Sequence, residues 1–304
     1  MTLQLVVLNV TERCMNKCKG CFYPKNPIDL TQDNLEKIIN TFSTYKPDIT
    51  ISGGEPFLYK NLPNALETIS EKLDKPGVFT SGIYKLINFN LESIIDNVKF
   101  FNLSMKFPKW SLNDRFFGTK GISQSAKQFI EDVREYKIPI NIQFAVDRRN
   151  IKYFDLMYRF AFEFDCELHI IRYLPFAGDY NFALNDEEWE GLVNKVYDKE
   201  GISIMFPSSK TYKNCVAGLT RLSIHPNGDI SPCIYLAQER VVNLFDQEIC
   251  VDCDIPVTEG VCHVCGGKTT YRRDLNAKEV MNIMYGWRSC FPDECCIAQQ
   301  FIYH

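Results

Sequence analysis

The sequence lacks a basic cluster and lacks any long apolar run. Its 304 residues contain 34 Lys and Arg against 38 Asp and Glu, a formal net charge of −4, so the positive patch expected of a nucleic-acid-binding protein is missing. The apolar start, residues 1–10, is too short to span a bilayer, carries no charged leader region and is followed at once by Thr11, Glu12 and Arg13. We therefore expect no nucleic-acid partner, no membrane partner and no export.

An export signal is missing even though the chain contains thirteen cysteines. The cysteines form one group near the start and one in the last third, with Cys166 alone between them, which we interpret as a small buried apolar residue. Reduced thiolates in a cytoplasm fit this distribution better than disulfides do. Hydrophobic residues make up 45% of the chain, which is typical of a globular protein with one large domain and room for a smaller one.

The first group of cysteines forms a C-x3-C-x2-C motif at Cys14, Cys18 and Cys21. Three thiolates at this spacing can bind three irons of a [4Fe–4S] cluster and leave the fourth iron open to a substrate or cofactor. The alternative is a structural zinc site, but a closed zinc site needs four ligands, and no Cys or His lies between Cys21 and Cys166. The motif therefore favours an iron–sulfur cluster with an open position.

Apolar segments with the character of strands alternate with segments of helical periodicity. The first strand ends at the cysteine motif, and Thr31 can cap the helix that follows. Strands are predicted at residues 3–10, 48–52, 77–81, 100–105, 140–146 and 167–173. The helix capped by Thr31 has apolar residues Leu35, Ile38, Ile39 and Phe42 at helical spacing, and further helices are predicted at residues 65–73, 91–97, 125–136 and 153–164. This alternation predicts an α/β fold, a partial (β/α)6 TIM-like barrel with a parallel sheet.

The second predicted strand ends in the sequence I-S-G-G-E-P, which closes at Pro56. Glycines at a strand end allow a ligand to approach the backbone closely because they carry no Cβ, and Glu55 offers a carboxylate to an ammonium group. Alone, a Gly-Gly pair is more often an ordinary turn. Here it follows the strand next to the cysteine motif, so both motifs are predicted at the same mouth of the barrel.

The two motifs together resemble the signature of the radical S-adenosylmethionine (SAM) superfamily, and the resemblance covers the predicted barrel. It implies that the open iron is chelated by the amino and carboxylate groups of SAM. One electron from the cluster would break a sulfur–carbon bond of SAM, and the resulting 5′-deoxyadenosyl radical would remove a hydrogen atom from the substrate. The implied ligands of the cluster are Cys14, Cys18 and Cys21, and those of the methionine end of SAM are Gly53, Gly54 and Glu55.

Further cofactor-binding candidates follow from the resemblance and from position at strand ends. The residue before the third cysteine is often aromatic in the family, whereas Gly20 stands there in this chain and aromatic residues follow the motif. Polar residues at the ends of later strands are candidates because such folds place their sites there. The alternatives are polar residues that line strands without this role and, for Arg172, an ordinary ion pair. The candidates are Phe22, Tyr23, Ser81, Ser104, Lys106 and Arg172.

The cysteine-rich segment, residues 208–304, is predicted to be a small α+β domain that follows the barrel, residues 1–207. A hairpin turn at residues 226–229 lies between Cys215 and Cys233, and this arrangement resembles the opening of a SPASM/twitch domain, which in the family carries one or two auxiliary iron–sulfur clusters. The predicted auxiliary ligands are Cys215, Cys233, Cys250, Cys253, Cys262, Cys265, Cys290, Cys295 and Cys296.

Nine thiols suffice for two four-cysteine sites with one left over, but the partition is open. One partition gives the two C-x2-C pairs to one metal and the remaining cysteines to the other, and paired C-x2-C motifs can equally hold zinc. The chain also departs from the SPASM pattern, since eight residues separate Cys253 from Cys262 and residues 266–269 contain no cysteine. We expect auxiliary metal in this segment, with its identity and ligand set left open.

The resemblance implies an enzyme that modifies a ribosomally made peptide or protein by crosslinking, epimerisation or oxidation. Its implied partners are that substrate and an electron donor of the flavodoxin or ferredoxin type, and no catalytic side chain is singled out. One alternative is a small-molecule or nucleotide enzyme of the molybdenum-cofactor-synthesis type, whose terminal Gly-Gly is absent here. Another is a non-catalytic metal-binding or electron-transfer module. Because the first strand begins at residue 3, substrate recognition is expected from the tail, the barrel mouth or a separate protein.

Overall fold

A ten-stranded sheet forms the centre of the fold. The computed structural model describes residues 2–175, 180–205, 216–237, 240–245, 247–251, 253, 257 and 270–289. The strands of the sheet are β1 (Leu5–Thr11), β2 (Asp48–Gly53), β3 (Gly77–Thr80), β4 (Phe100–Ser104), β5 (Ile140–Val146), β6 (Glu167–Arg172), β7 (Ile202–Met205), β8 (Arg221–Ile224), β9 (Asp229–Ser231) and β10 (Val242–Asn243).

Helices connect the strands, and a two-stranded sheet lies apart from the main one. The helices are α1 (Gln32–Phe42), α2 (Leu62–Lys72), α3 (Trp110–Phe117), α4 (Ile122–Glu135), α5 (Phe154–Glu163), α6 (Asp186–Val196) and α7 (Ala277–Ser289), and the small sheet pairs β11 (Gln247–Cys250) with β12 (Thr270–Arg273). Within the described ranges, no helix combines the length and hydropathy needed to cross a bilayer.

Strands β1 to β7 lie side by side in chain order and pair in parallel, and β8 pairs in parallel with the other edge of β1. Strands β9 and β10 continue the sheet in antiparallel orientation. The predicted α/β fold with a parallel sheet is therefore confirmed. The boundary predicted at residue 207 falls between β7 and β8. These two strands lie at the two edges of the parallel part of the same sheet.

Helix α1 illustrates how local sequence builds this architecture. The Thr31 hydroxyl accepts a hydrogen bond from the backbone N–H of Asn34 (3.2 Å), which satisfies one of the donors that a helix start leaves open. The apolar residues of the helix recur at helical spacing, so they form one buried face against the sheet. The buried residues of α1 are Leu35, Ile38, Ile39 and Phe42. Both the cap and the buried face were predicted from the sequence.

The structure differs from the sequence prediction in three places. Residues 91–97 form two 3-10 turns, Leu91–Ser93 and Ile95–Asn97, because Ile94 between them has φ −122° and ψ −15°, outside the α-helical region. Helix α3 was not predicted from the sequence. Neither were α6 and β7, although α6 begins with a capping box between Asn185 and Glu188, a signal that the sequence carries.

Two phenylalanines provide a matched test of the core. Phe101 in β4 is fully buried, and its ring lies 5.0 Å from the Phe129 ring, edge to face. Phe162 in α5 is 80% exposed. We expect Phe101→Ala to lower the free energy of unfolding by about 3–5 kcal/mol and Phe162→Ala to change it by no more than about 0.5 kcal/mol. Urea denaturation followed by circular dichroism measures both, and equal effects would contradict the packing described.

Candidate functional site

A cavity of about 260 Å³ opens at the carboxyl ends of the parallel strands. All the site residues predicted in the barrel line it, together with Ile234 and Tyr235 from the segment after β9. The predicted residues in its wall are Cys14, Cys18, Cys21, Phe22, Tyr23, Gly53, Gly54, Glu55, Ser81, Ser104, Lys106 and Arg172. Folding therefore collects on one cavity residues that are far apart in sequence.

The three cysteines lie on a loop, residues 12–28, which we call the cysteine loop. Its two ends are joined at the end of β1, where the Glu12 N–H donates to the Ile28 carbonyl (2.8 Å) and the Thr11 hydroxyl donates to Asp29 (2.6 Å). Arg13 forms an ion pair with Asp29 (3.1 Å). The loop is thus anchored to the sheet at its base, and its tip faces the cavity.

The thiols of the cysteine loop share the wall of the cavity. Cys14 and Cys18 are partly buried, and Cys21 is exposed. Burial is the main reason that the pKa of Cys14 rises to about 11 and that of Cys18 to about 12, so binding of a metal must displace protons from these thiols. Among the described residues, no three His, Cys, Asp or Glu side chains are placed to chelate a single ion.

The G-G-E-P motif holds the end of β2 against the start of the cysteine loop. The Gly54 N–H donates to the Thr11 carbonyl and the Glu55 N–H to the Arg13 carbonyl, both at 2.8 Å. A Cβ on Gly53 would lie 2.2 Å from the Thr11 oxygen, and a Cβ on Gly54 would lie 2.2 Å from the Arg13 oxygen. The glycines therefore admit the backbone of the cysteine loop, whereas the sequence analysis attributed them to close approach of a ligand.

Glu55 is a buried carboxylate with several hydrogen-bond donors. It is 1% exposed, and it accepts bonds from the Thr80 hydroxyl (2.7 Å), from the Ser81 N–H (2.9 Å) and from the Ser81 hydroxyl. Burial raises the pKa of Glu55, and the hydrogen bonds from Ser81 and Thr80 oppose that rise. No cation of the described residues pairs with it, so this carboxylate is suited to a cationic group of a ligand.

Two further residues in the cavity wall were missed by the sequence analysis. Asn16 is 3% exposed and donates to the Ser81 hydroxyl (2.8 Å), while its Oδ1 atom has no hydrogen-bond partner. Gln143 is 4% exposed and donates to Asn102 (2.9 Å), and its Oε1 atom is likewise unpaired. Unpaired buried acceptors are costly, so both atoms are suited to donors of a bound molecule. No sequence signal distinguishes them from other polar residues of loops and strands.

Lys106 brings a positive charge to the same cavity, just beyond the end of β4. Burial lowers its pKa to about 8, and the nearby sulfur of Cys18 opposes that shift. Its side chain makes no ion pair with the described residues. Its backbone N–H donates a hydrogen bond to the Asn113 side chain (3.0 Å). Ser104 lines the cavity two residues earlier. The cavity therefore holds a carboxylate and an ammonium group, each without an ionic partner from the described chain.

Arg172 has partners of its own. Its guanidinium group lies 2.8 Å from the Asp186 carboxylate and donates to the Leu184 carbonyl at 2.8 Å. This is the ordinary ion pair that the sequence analysis left open, and it joins the end of β6 to the start of α6. Arg172 thus holds that wall of the cavity, and its contact with a carboxylate of SAM or substrate stays a prediction.

Aromatic residues close the rest of the wall. Gly20 has φ +76°, a backbone conformation that favours glycine, and a Cβ there would lie 2.4 Å from the Tyr173 oxygen, so a side chain at residue 20 would be strained and would require Tyr173 to move. Phe22 contacts Tyr235 with ring centroids 5.4 Å apart, and Tyr23 stacks on His225 at 5.8 Å. Both Phe22 and Tyr23 thus contact the segment that contains strands β8, β9 and β10, residues 221–243. We call this segment the C-terminal hairpin after its β8–β9 turn.

Only part of the predicted auxiliary metal site is described. Cys233 follows β9 and is partly buried, Cys250 ends β11 and is buried, and Cys253 is partly buried beside it. The remaining predicted ligands, Cys215, Cys262, Cys265, Cys290, Cys295 and Cys296, lie outside the described residues. Auxiliary metal therefore stays a prediction.

Curated proteins share sequence similarity with much of the chain. It is 25% identical over 194 residues to the Fe-coproporphyrin III synthase of Methanosarcina barkeri, covering 60% of this chain and 47% of that protein. It is 23% identical over 248 residues to the antilisterial bacteriocin subtilosin biosynthesis protein AlbA of Bacillus subtilis, covering 76% and 54%. The AdoMet-dependent heme synthase of Oleidesulfovibrio alaskensis is 21% identical, with 77% and 70% covered. The chain spans about half the length of the first two relatives.

Solved structures share the fold. The crystal structure of Streptococcus suis SuiB bound to precursor peptide SuiA matches with a TM-score of 0.63 at 17% identity, covering 78% of this chain and 61% of that one. Native anSMEcpe with bound AdoMet and Kp18Cys peptide matches with a TM-score of 0.65 at 16% identity, covering 93% and 82%. The family model of the radical SAM superfamily matches residues 8–161. Because that match covers just over half of the sequence, the chain belongs to the radical SAM superfamily.

Proposed function

We propose that this radical SAM enzyme modifies a ribosomally made peptide or protein, by crosslinking, epimerisation or oxidation. The observation that carries the proposal is the cavity itself, where the three thiols of the cysteine loop face a buried carboxylate and a lysine. Cys14, Cys18 and Cys21 bind a [4Fe–4S] cluster whose fourth iron is open. When bound, cluster and SAM together supply a 5′-deoxyadenosyl radical that abstracts hydrogen from the substrate.

The side chains of the cavity fit the amino-acid end of SAM. Glu55 is buried and pairs with no cation of the described residues. The Ser81 hydroxyl links it to Asn16, whose Oδ1 atom has no hydrogen-bond partner in the same part of the chain. These two groups accept hydrogen bonds from the amino group of SAM. Lys106 receives the carboxylate, since oppositely charged groups bind most strongly where water is excluded. The protein thus orients the cofactor and shields it from water, while the chemistry belongs to the cofactor.

Two observations support a peptide substrate. The first is that AlbA, which is similar to this chain over 76% of its length, is named for bacteriocin biosynthesis. The second is that two structures with the same fold contain bound peptides.

A small-molecule substrate is the second candidate, because two curated relatives are named for the synthesis of iron tetrapyrroles. The two candidates make different products. A peptide encoded beside this gene is expected to change mass by a few hydrogens or to gain an internal link, with 5′-deoxyadenosine released in step. If an iron porphyrin is altered and the peptide is unchanged, the peptide proposal is wrong.

The test of the enzyme itself is SAM cleavage. The chain is reconstituted anaerobically with iron and sulfide, then given dithionite and SAM, and 5′-deoxyadenosine is measured by chromatography. We expect the wild-type chain to release 5′-deoxyadenosine and a chain with Cys14, Cys18 and Cys21 all replaced by Ala to release none. The control is Cys166→Ala, which removes a thiol from the core and should release it as wild type does. Absence of 5′-deoxyadenosine from a wild-type chain with intact clusters would contradict the proposal.

We also propose that the cysteine-rich segment contains one or two auxiliary metal sites. These sites hold iron–sulfur clusters, or zinc at one of them. We further propose that a flavodoxin or ferredoxin donates the electron. Cys233 supports the first part, because it lies two residues before Tyr235 in the cavity wall. Metal analysis of the reconstituted triple-alanine variant measures this site alone. Metal content at background in that variant would exclude an auxiliary site.

A further inference from the structure

A buried polar network joins both ends of the cysteine motif to the C-terminal hairpin. On the carboxyl side, Tyr23 is 7% exposed and stacks on the fully buried His225 at an interplanar angle of 10°. The Tyr23 hydroxyl lies 3.3 Å from Nδ1 of His225, and Nε2 of His225 lies 3.0 Å from the Ser231 hydroxyl. The residue two positions after Cys21 is therefore fixed by the hairpin.

On the amino side, Glu12 makes the corresponding contact. It is 1% exposed, its Oε1 atom accepts from Arg240 (2.9 Å), and its Oε2 atom accepts from Asn26 (2.6 Å). Arg240 is held in turn by Asp229 in β9 (2.5 Å). A buried carboxylate that loses its cation is strongly destabilised, so the residue two positions before Cys14 is also fixed by the hairpin.

The strands themselves bring these partners together. Strand β8 pairs with β1 from Leu5 to Leu8, and the Asn9 side chain donates to Ser223 (2.9 Å) and to the Ile224 carbonyl (3.0 Å). Contacts from one hairpin thus continue from the strand onto both flanks of the loop. The loop carries its cysteines between two fixed points rather than on a free segment.

We propose that His225 and Arg240 are positioning residues for the cluster, acting through Tyr23 and Glu12 on the geometry of the cysteine loop. The inference rests on the proposed assignment of the cluster to Cys14, Cys18 and Cys21. Neither residue is among the cavity-lining residues, so their effect passes through the loop. Groups that orient metal ligands from outside the ligand sphere typically contribute about 10–100-fold to metal affinity.

The test compares reconstituted full-length chains with Arg240→Gln, Arg240→Lys or Tyr23→Phe against wild type. The matched control is Arg273→Gln, since Arg273 is 29% exposed and paired with Glu279, while Arg240 is 27% exposed. We expect Arg240→Gln to lose iron from the SAM-responsive cluster to a chelator about 10-fold faster. Arg240→Lys should recover most of the retention, and the control should match wild type.

Tyr23→Phe is the milder variant, because it removes the hydroxyl and keeps the stacked ring. We expect it to fold with normal iron content and to shift the electron paramagnetic resonance spectrum of the reduced cluster. If Arg240→Gln retains iron as wild type does and Tyr23→Phe has the wild-type spectrum, the positioning inference is wrong, while the assignment of the cluster is unaffected. A SAM-responsive spectrum from the triple-alanine chain would overturn the cluster assignment and this inference together.

Discussion

Replacing Gly54 with alanine is expected to reduce the release of 5′-deoxyadenosine about 100-fold, the loss that a misplacement of about 1 Å produces. The added Cβ would lie 2.2 Å from the Arg13 oxygen and 2.6 Å from the Arg13 carbonyl carbon. Since these are backbone atoms, the end of β2 must move away from the cysteine loop. Its hydrogen bonds to Thr11 and Arg13 would then be strained or broken, and the free energy of unfolding should fall by about 1–3 kcal/mol.

Gly191→Ala is the control for this substitution. Gly191 lies within α6, and a Cβ there meets nothing within 4 Å. Alanine should therefore stabilise the helix by up to about 1 kcal/mol and leave SAM cleavage unchanged. Urea denaturation and the rate of 5′-deoxyadenosine release are measured on both variants. Wild-type rates from Gly54→Ala would mean that the contact between G-G-E-P and the loop does not position the site.

Replacing Glu55 with glutamine is expected to weaken the binding of SAM about 10–100-fold. A hydrogen bond to a charged group contributes about 1.5–3 kcal/mol, and a factor of ten corresponds to about 1.4 kcal/mol. The proposed role of Glu55 is to accept a hydrogen bond from the amino group of SAM, so the loss should depend on that group. Calorimetric titration of the reconstituted chain measures the affinity.

The control for Glu55→Gln is a ligand rather than a variant. 5′-Methylthioadenosine has the nucleoside and the sulfur of SAM but no amino-acid end, so its affinity should be the same for wild type and Glu55→Gln. Equal weakening of both ligands would show that the substitution distorts the cavity, and the assignment of Glu55 to the amino group of SAM would then fail.

Sequence alone predicted the site wherever its position depends on strand order. The cysteine motif and G-G-E-P follow consecutive parallel strands, and the carboxyl ends of such strands meet at one edge, so their meeting follows from the pattern. The same rule placed Ser81, Ser104 and Lys106 in the wall of the cavity. What it could not give was the reason for Gly53 and Gly54, because the atoms that approach them belong to Thr11 and Arg13.

The remaining features depend on contacts that local patterns do not encode. Asn16 is one polar residue of a loop, and only the folded chain shows that its Oδ1 atom is buried without a partner. Glu12 is a charged residue after an apolar strand, and its burial follows from Arg240. The pairing of β8 with β1 is likewise invisible to periodicity, since the intervening units separate the partners in sequence.

The pairing of β1 with β8 has a consequence for synthesis of the protein. Asn9 and Ser223, which meet across these strands, are 214 positions apart. At about 5–20 residues per second, roughly 10–40 s pass between translation of the two strands. During that interval one edge of β1 has no partner, and unpaired edges invite association with other chains. Because Tyr23 and Glu12 contact the hairpin, we expect the cysteine loop to reach its final shape, and the proposed cluster to be inserted, only after the hairpin has been translated.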